Sequence, residues 1–164
     1  MTAATERAAA GLAAPDRTAC TLGVVVINYR TPALIRDCLT ALGPDLDALD
    51  ARVAVVDNRS DDGSADEIER WLAGPEAWKG RVTLIRSRTN SGFSGGNNQG
   101  VAALDAPLYL LLNSDAIARP GALRALVDAA AREKDAGIIA PRLEDPDGTA
   151  QISCFHFHSP LSEF

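Results

Sequence analysis

The sequence predicts an α/β fold with a mostly parallel sheet and helices on both faces. First, short apolar runs rich in β-branched residues alternate five times with stretches of helical periodicity, as in parallel sheets buried on both faces. Second, Gly, Pro and short polar residues lie at the transitions between these elements. Third, the 164 residues, 46% of them hydrophobic, suffice for the core of one globular domain.

The first strand-helix unit begins with a strand at 22–27, which reads LGVVVI. Thr31 and Pro32 then supply an N-cap and a proline at the first helical position. Gly43 and Pro44 are expected to end this helix. Its apolar stripe consists of Leu34, Ile35, Cys38, Leu39 and Leu42. Cys38 is interpreted as a small buried hydrophobe on that stripe.

The second unit has a strand at 53–56 that ends at Asp57, followed by a polar loop at 58–63. The next helix is predicted to start with a capping box at 64–67 and to end at Gly74-Pro75.

Three further strands are predicted, at 82–85, 108–112 and 137–140. A glycine-rich turn and a helix through about Leu104 follow the first of them, and Pro120 opens a helix after the second.

The composition limits the classes of partner. The formal net charge of −6 argues against nucleic-acid binding, which needs a basic surface. Three widely spaced cysteines predict no disulfide framework and a reducing compartment. No apolar window approaches the roughly 18 residues of a membrane span, and residues 1–20 are predicted to be a disordered alanine-rich tail. A cytoplasmic protein is therefore expected.

Polar residues follow four of the predicted strands at the sheet edge where α/β folds bind ligands. They are Asn28-Tyr29, Asp57-Asn58, the 90–98 loop and Asn113-Ser114-Asp115. A P-loop (GxxxxGK[ST]) and a dinucleotide fingerprint (GxGxxG) are both absent.

Each feature alone allows two interpretations. Asp57 could accept the imide N–H of uracil or thymine, or brace its loop together with neighbours such as Ser60. The glycines of 90–98 could let backbone N–H groups approach a phosphate, or permit a tight turn. Asn113 and Asp115 could serve Mg²⁺ or Mn²⁺, or form a turn.

Together, five segments resemble family 2 glycosyltransferases in their order and spacing, over about 22–153. They are NYRTPALIRDCLTAL, VVDNRSDDGS, NSGFSGGNNQG, YLLLNSDAIARPGAL and GIIAPRLEDPDGTAQ. The sequence looks most similar to the rhamnosyltransferase-like branch that builds bacterial cell-surface polysaccharides.

The resemblance implies a GT-A-type, Rossmann-like fold with a nucleotide-sugar-binding domain at 21–141. Asn28 and Tyr29 would line the base pocket, with Asp57 on the base. The residues expected to bind the nucleotide sugar are Asn28, Tyr29, Asp57, Asn58, Asn90, Gly92, Gly96, Asn97 and Asn113. Asp115 would serve Mg²⁺ or Mn²⁺ in a DxD-like motif whose first position is Asn113 instead of aspartate.

The implied reaction transfers a sugar, with inversion, from a UDP- or dTDP-linked donor to a glycan or lipid-linked acceptor. A lipid-linked acceptor would bring the protein to the inner face of the membrane as a peripheral protein. Residues 142–164 would begin the acceptor side, and the catalytic base is expected beyond Phe164. Glu144, Asp145 and Asp147 are not assigned as the base, because they lie too early, in a turn.

Three alternatives accompany this prediction. The chain could be a non-catalytic or truncated module that binds nucleotides without a base. A nucleotidyltransferase is disfavoured because no basic glycine-rich signature follows the first strand. A zinc site at Cys154, His156 and His158 is disfavoured too, because alternate residues of a strand lie too far apart for one tetrahedral ion.

Overall fold

The computed structural model describes residues 19–74, 78 and 80–152. The chain divides into two compact units, Met1–Arg124 and Ala125–Phe164. The predicted boundaries at residues 20 and 141 stay predictions.

The described part of the first unit contains a four-stranded parallel sheet and three complete helices. The strands are β1 (Leu22–Asn28), β2 (Ala51–Asp57), β3 (Val82–Arg86) and β4 (Leu108–Leu112). The helices are α1 (Pro32–Leu49), α2 (Ser64–Leu72) and α3 (Gly92–Ala103). A fourth helix, α4 (Ala122–Arg132), begins at the end of this unit. These elements confirm the predicted α/β class and four of the predicted strands.

The strands lie in the order β3-β2-β1-β4. The chain therefore adds β2 and β3 on one side of β1 and then crosses back to add β4 on the other. Because crossovers between parallel strands are right-handed, α1 and α2 cover one face and α3 covers the other. The order of the strands reverses between β1 and β4.

The core beneath α3 consists of small and branched apolar side chains. Buried Val25, Ala54, Val56 and Leu104 form a cluster against which Ile27, Ile85 and Val101 pack. A Cβ atom on Gly100 would overlap the side chain of Val25. Helix α3 can therefore lie this close to β1 only because residue 100 has no side chain.

Helix α1 is longer than predicted, since it continues through Gly43 and Pro44 to Leu49. A proline inside a helix costs about 3 kcal/mol. The apolar stripe continues past it, however, with Leu46 and Leu49 only 1% and 4% exposed. Burying two leucines contributes about 1.5–3 kcal/mol each, which offsets the proline.

The predicted capping box at the start of α2 is wrong. Gly63, at φ 87°, occupies the N-cap position, and Ser64 is already the first helical residue. The carboxylate of Asp62 accepts hydrogen bonds from the backbone N–H of Ser64, at 3.0 Å, and from its hydroxyl. An Asp side chain often accepts a hydrogen bond from the backbone N–H two residues later in the chain. This local turn at 62–64 takes the place of the capping box.

The start of α4 is fixed by a residue of α1. Instead of beginning at Pro120, the helix begins at Ala122. The carboxylate of Asp45 accepts hydrogen bonds from the backbone N–H groups of Gly121, at 2.9 Å, and Leu123, at 3.0 Å. Asp45 therefore caps the helix from a distant part of the sequence.

In the second unit, the strand predicted at 137–140 is absent. These residues have no regular secondary structure, and Ile138 is 92% exposed. An apolar run becomes a strand only where a neighbouring strand takes its backbone hydrogen bonds, which periodicity cannot reveal. The turn predicted at 145–148 is confirmed, with Gly148 N–H donating to Asp145 C=O at 2.8 Å. Within the described part of the chain, no helix has the length and apolarity needed to cross a membrane.

Candidate nucleotide-sugar site

Two cavities open at the carboxyl edge of the sheet. The larger, called the primary cavity, has a volume of about 420 Å³. It is lined by Ile27, Tyr29, Thr31, Leu34, Asn58, Asn90, Gly92, Phe93, Asn113, Ser114 and Asp115. Residues following both β1 and β4 contribute, so the cavity coincides with the reversal of strand order. Open α/β sheets bind their ligands at such a point.

The predicted site residues are distributed unevenly over these cavities. Those lining the primary cavity are Tyr29, Asn58, Asn90, Gly92, Asn113 and Asp115. Asp57 instead lines a second cavity of about 250 Å³, together with Arg59, Arg86 and Ser87 among others. Asn28, Gly96 and Asn97 are buried and line neither cavity.

Asp57 lies in a buried hydrogen-bond network at the end of β2. Its Oδ1 atom accepts hydrogen bonds from Asn28 Nδ2, at 2.6 Å, and from the Ser60 hydroxyl, at 2.5 Å. Its Oδ2 atom accepts one from the Ser60 backbone N–H at 3.2 Å. Asp57 thus braces the loop, and Oδ2 retains capacity for one further donor.

The loop after β1 is held by Ser60, which is 1% exposed. The hydroxyl of Ser60 accepts hydrogen bonds from Asn28 Nδ2, at 3.1 Å, and from the Arg30 backbone N–H, at 3.0 Å. Arg30 has φ 62°, an unfavourable conformation for a side chain with a Cβ. Its guanidinium lies 5.1 Å from the ring centroid of Tyr29, a cation–π contact beside the primary cavity.

Asn58 makes the corresponding contacts to the loop before α3. Its Nδ2 atom donates to Asn90 Oδ1, at 3.0 Å, and to Gly92 C=O, at 3.1 Å. Its Oδ1 atom accepts from the Ser91 backbone N–H at 3.1 Å. Asn58 is only 4% exposed, so almost none of it is open to a ligand.

Inside α3, two predicted site residues are buried in the fold. A Cβ atom on Gly96 would lie 3.0 Å from Ile27 Cδ1, so Gly96 allows close packing on β1. Asn97 donates from Nδ2 to Phe93 C=O at 3.0 Å, and its buried Oδ1 has no partner among the described residues.

Asp115 is exposed in the loop that follows β4, directly after Asn113 and Ser114. Among the described residues that line the primary cavity, Asp115 is the only Asp, Glu, Lys or Arg. A single carboxylate with neighbouring amide and hydroxyl oxygens suits Mg²⁺ or Mn²⁺, which complete their shells with water and substrate phosphates. In the described part of the chain, no three His, Cys, Asp or Glu residues cluster as metal ligands.

Cys38 lies close to this loop, but its thiol is not reactive at neutral pH. It is fully buried, as predicted, and its Sγ lies 3.9 Å from Asn113 C=O. Burial, and secondly the negative charge of Asp115, raise the pKa of the Cys38 thiol to about 11. The neutral thiol therefore offers no thiolate ligand at neutral pH. Cys154, His156 and His158, which the sequence disfavours as a zinc site, lie outside the described residues.

Sequence reasoning missed the apolar part of the primary cavity, chiefly Leu34 and Phe93. Both are unusually exposed for their type, at 38% and 54%. The helical periodicity places Leu34 on the apolar stripe of α1, which indicates a core residue. Phe93 could have been found, because an aromatic side chain in a polar glycine-rich loop is unusual. Apolar walls with a few polar groups are typical of small-molecule sites.

A four-stranded parallel sheet with a cavity at the reversal of its strand order is the arrangement in which open α/β domains bind small ligands. Residues 23–157 match the model of glycosyl transferase family 2, and the chain belongs to this family.

Several solved structures share the fold. TarS 1-349 of S. aureus in complex with UDP-GlcNAc is 22% identical, with a TM-score of 0.54 over 70% of this chain and 31% of that chain. The mannosyltransferase PcManGT from Pyrobaculum calidifontis, in complex with GDP-Man and Mn²⁺, is 25% identical, with a TM-score of 0.57 over 71% and 33% of the respective chains. The chain thus spans about a third of the length of these structures. A search of curated protein sequences gives no match.

Proposed function

We propose that this chain is the sugar-donor-binding part of an inverting glycosyltransferase that uses a UDP- or dTDP-linked sugar. The primary cavity is the observation that carries the proposal. It brings an aromatic side chain, Tyr29, an exposed amide, Asn90, and a carboxylate, Asp115, to one edge of a family 2 fold. These groups suit a base, a ribose or phosphate, and a metal ion respectively.

In this proposal the base lies against the loops that follow β1 and β2. Asp57 Oδ2 would accept the imide N–H of uracil or thymine with its remaining lone pair. Guanine carries an amide N–H with a neighbouring exocyclic amine, so a site with one acceptor favours the pyrimidine. Tyr29, which is 45% exposed, would cover part of the nucleoside.

The diphosphate would lie near Asp115. A carboxylate repels a diphosphate, so binding the two together requires a cation between them. Asp115 would hold Mg²⁺ or Mn²⁺, with Asn113 orienting the diphosphate; the metal would neutralise charge on the leaving group. The mannosyltransferase that resembles this chain contains Mn²⁺ in its structure.

Finer aspects of the proposal rest on the sequence resemblance. We place the chain in the rhamnosyltransferase-like branch, acting in cell-surface polysaccharide synthesis on a glycan or lipid-linked acceptor. It would work in the cytoplasm, and a lipid-linked acceptor would bring it to the inner face of the membrane. We assign the catalytic base to the acceptor side of the enzyme and to none of the cavity residues.

Calorimetric titration with UDP, dTDP and GDP, each with and without Mn²⁺, tests the proposal. We expect UDP or dTDP to bind only with Mn²⁺, and GDP to bind at least about tenfold more weakly, as expected for one mismatched hydrogen-bond pattern. A folded chain that binds none of the three nucleotides would overturn the proposal.

A second candidate is a module that binds a nucleotide sugar without transferring it. Asp115 is the only carboxylate among the described residues lining the primary cavity, and in the first proposal it is occupied by the metal. The two candidates are separated by incubating the chain with UDP- or dTDP-sugars and Mn²⁺. Release of free nucleoside diphosphate would show that the sugar is transferred, to water or to another acceptor, and would therefore rule out a module that only binds.

A further inference from the structure

We infer that Asn58 is a positioning residue that fixes the 90–92 loop and sets the orientation of the Asn90 side chain. This inference rests on the proposed function for its consequence, the presentation of Asn90 to the sugar donor. It changes the role predicted for Asn58, from a residue that touches the nucleotide sugar to one that acts through its neighbours.

The orientation of the Asn58 amide is fixed by backbone groups. Gly92 C=O can only accept a hydrogen bond, so the Asn58 atom 3.1 Å away is Nδ2. Ser91 N–H can only donate, so the Asn58 atom 3.1 Å from it is Oδ1. Exchanging the two ends of the amide would set donor against donor and acceptor against acceptor.

This orientation in turn determines the amide of Asn90. Asn58 Nδ2 donates to Asn90 Oδ1 at 3.0 Å, and the Gly92 backbone N–H donates to the same oxygen at 3.0 Å. Both donors require an oxygen at that position, which leaves the Nδ2 group of Asn90 as its other end. Asn90 is exposed and lines the primary cavity. The N–H donors of Asn90 are therefore the groups left to bind a ligand.

The chemistry at this point of the cavity follows from that orientation. An NH₂ group donates hydrogen bonds to phosphate, carbonyl or hydroxyl oxygens, whereas the amide oxygen would repel phosphate and carbonyl oxygens. Gly92 has φ 69°, a left-handed conformation that residues with a Cβ atom rarely adopt. Asn58 accepts a hydrogen bond from the Ser91 N–H that precedes this residue and donates one to the Gly92 C=O that follows it. Asn58 thus fixes a left-handed turn that glycine permits, and with it the position from which Asn90 faces the primary cavity.

The first test is amide hydrogen exchange on the ligand-free chain, which does not depend on any nucleotide. In the wild type, the Ser91 N–H should be protected although it lies in a loop. In Asn58→Ala it should exchange about five- to tenfold faster, since a hydrogen bond worth about 1–1.5 kcal/mol is lost. The amides of β2 should keep their protection. Equal exchange of Ser91 in both proteins would overturn the inference.

The second test is a double-mutant cycle with UDP and Mn²⁺ as the probe. Asn58→Ala and Asn90→Ala should each weaken binding about tenfold, and the double variant should bind no more weakly than the weaker single variant. A purely structural contribution of Asn58 would instead multiply with the effect of Asn90→Ala, and that result would overturn the inference. Asn98 is an exposed asparagine of α3. Asn98→Ala is therefore the matched control, and it should bind UDP as the wild type does.

Two outcomes need a separate design. Should Asn58→Ala fail to fold, Asn58→Asp is isosteric, keeps the acceptor for Ser91 N–H and removes the donated bonds, so it should still weaken UDP binding. Should the wild-type chain bind no nucleotide, the proposed function fails, while the exchange of Ser91 still decides whether Asn58 fixes the loop.

Discussion

Substituting Gly100 by alanine tests how closely the position of α3 is tied to the site. The new Cβ would lie 2.9 Å from Val25 Cγ2 and 3.2 Å from Val25 Cβ, with Cγ1 closer still. Val25 is fully buried in β1, between two paired strands, and its β-branched side chain has little freedom to rotate. The strain must therefore be relieved mainly by movement of α3.

The size of the effect follows from two opposing contributions. Ordinary contact begins at 3.4 Å, so the Cγ2 contact at 2.9 Å alone requires a separation of at least 0.5 Å. Overpacking of this kind costs about 1–3 kcal/mol, while exchanging glycine for alanine in a helix contributes about 1 kcal/mol of stability. Because two atoms of a rigid valine are too close, we expect a net loss of about 1–2 kcal/mol. That corresponds to a fall in Tm of about 2–8 °C.

The movement should also weaken nucleotide binding, since α3 begins at Gly92, which lines the primary cavity. Chemical denaturation gives the stability, and titration with UDP and Mn²⁺ gives the affinity. Gly96→Ala is the matched control: its Cβ would lie 3.0 Å from Ile27 Cδ1, the mobile end of a longer side chain, so it should cost less. Val25→Ala in the Gly100→Ala background should restore affinity. A Gly100→Ala protein more stable than the wild type would refute this account of the packing.

Four further variants or reactions probe the site. Asp57→Asn places an NH₂ group against the Ser60 N–H and should lower the free energy of unfolding by about 1–3 kcal/mol in urea titrations, with weaker UDP binding. Asp115→Ala removes an exposed side chain, so thermal melts should be unchanged while calorimetry shows no Mn²⁺-dependent binding. Asp45→Ala removes the cap of α4 and should lower the free energy of unfolding by about 1 kcal/mol, measured in urea. Cys38, with its pKa near 11, should resist alkylation at pH 8 in the folded chain and react once unfolded, as mass spectrometry of its peptide would report. Because that thiol stays neutral in the folded state, stability should also fall as pH rises from about 9 towards 11.

The elements that sequence analysis predicted well are those whose signal is local. The runs at 22–27, 82–85 and 108–112 are strands in the structure, and α3 ends within one residue of the predicted Leu104. The errors share a different cause. Helix α1 passes through Pro44 because leucines beyond it are buried, and the segment 137–140 pairs with no strand among the described residues. Burial and pairing depend on distant parts of the chain, which periodicity does not contain.

The site shows the same limit. Rules for parallel sheets pointed to the edge at which the primary cavity opens, and most of the predicted polar residues line that cavity. The roles of single residues were less accessible, because they depend on hydrogen bonds between residues far apart in sequence. Asn58 and Ser91 are separated by 33 positions and Asn28 and Asp57 by 29. Both interpretations of Asp57 also agree with the structure, which shows the loop-bracing bonds and one free lone pair.

The adjacent residues Asp57 and Asn58 connect three loops because they end a strand. Successive side chains of a strand face opposite sides of the sheet. Asp57, level with Asn28 in the register, bonds to Asn28 at the end of β1 and to Ser60, and Ser60 in turn bonds to Arg30 in the loop after β1. Asn58, on the side of Val56, bonds to the loop before α3. Two neighbouring polar residues thereby hold the loops on both faces before any ligand arrives. A ligand that binds there does not have to order these loops. The entropy cost of ordering them is part of folding and does not reduce the binding affinity. Under the proposed function, the buried network at Asp57 and Asn58 is therefore the framework of the site, and it would present Tyr29, Asn90, Asp115 and the remaining lone pair of Asp57 Oδ2 to the sugar donor.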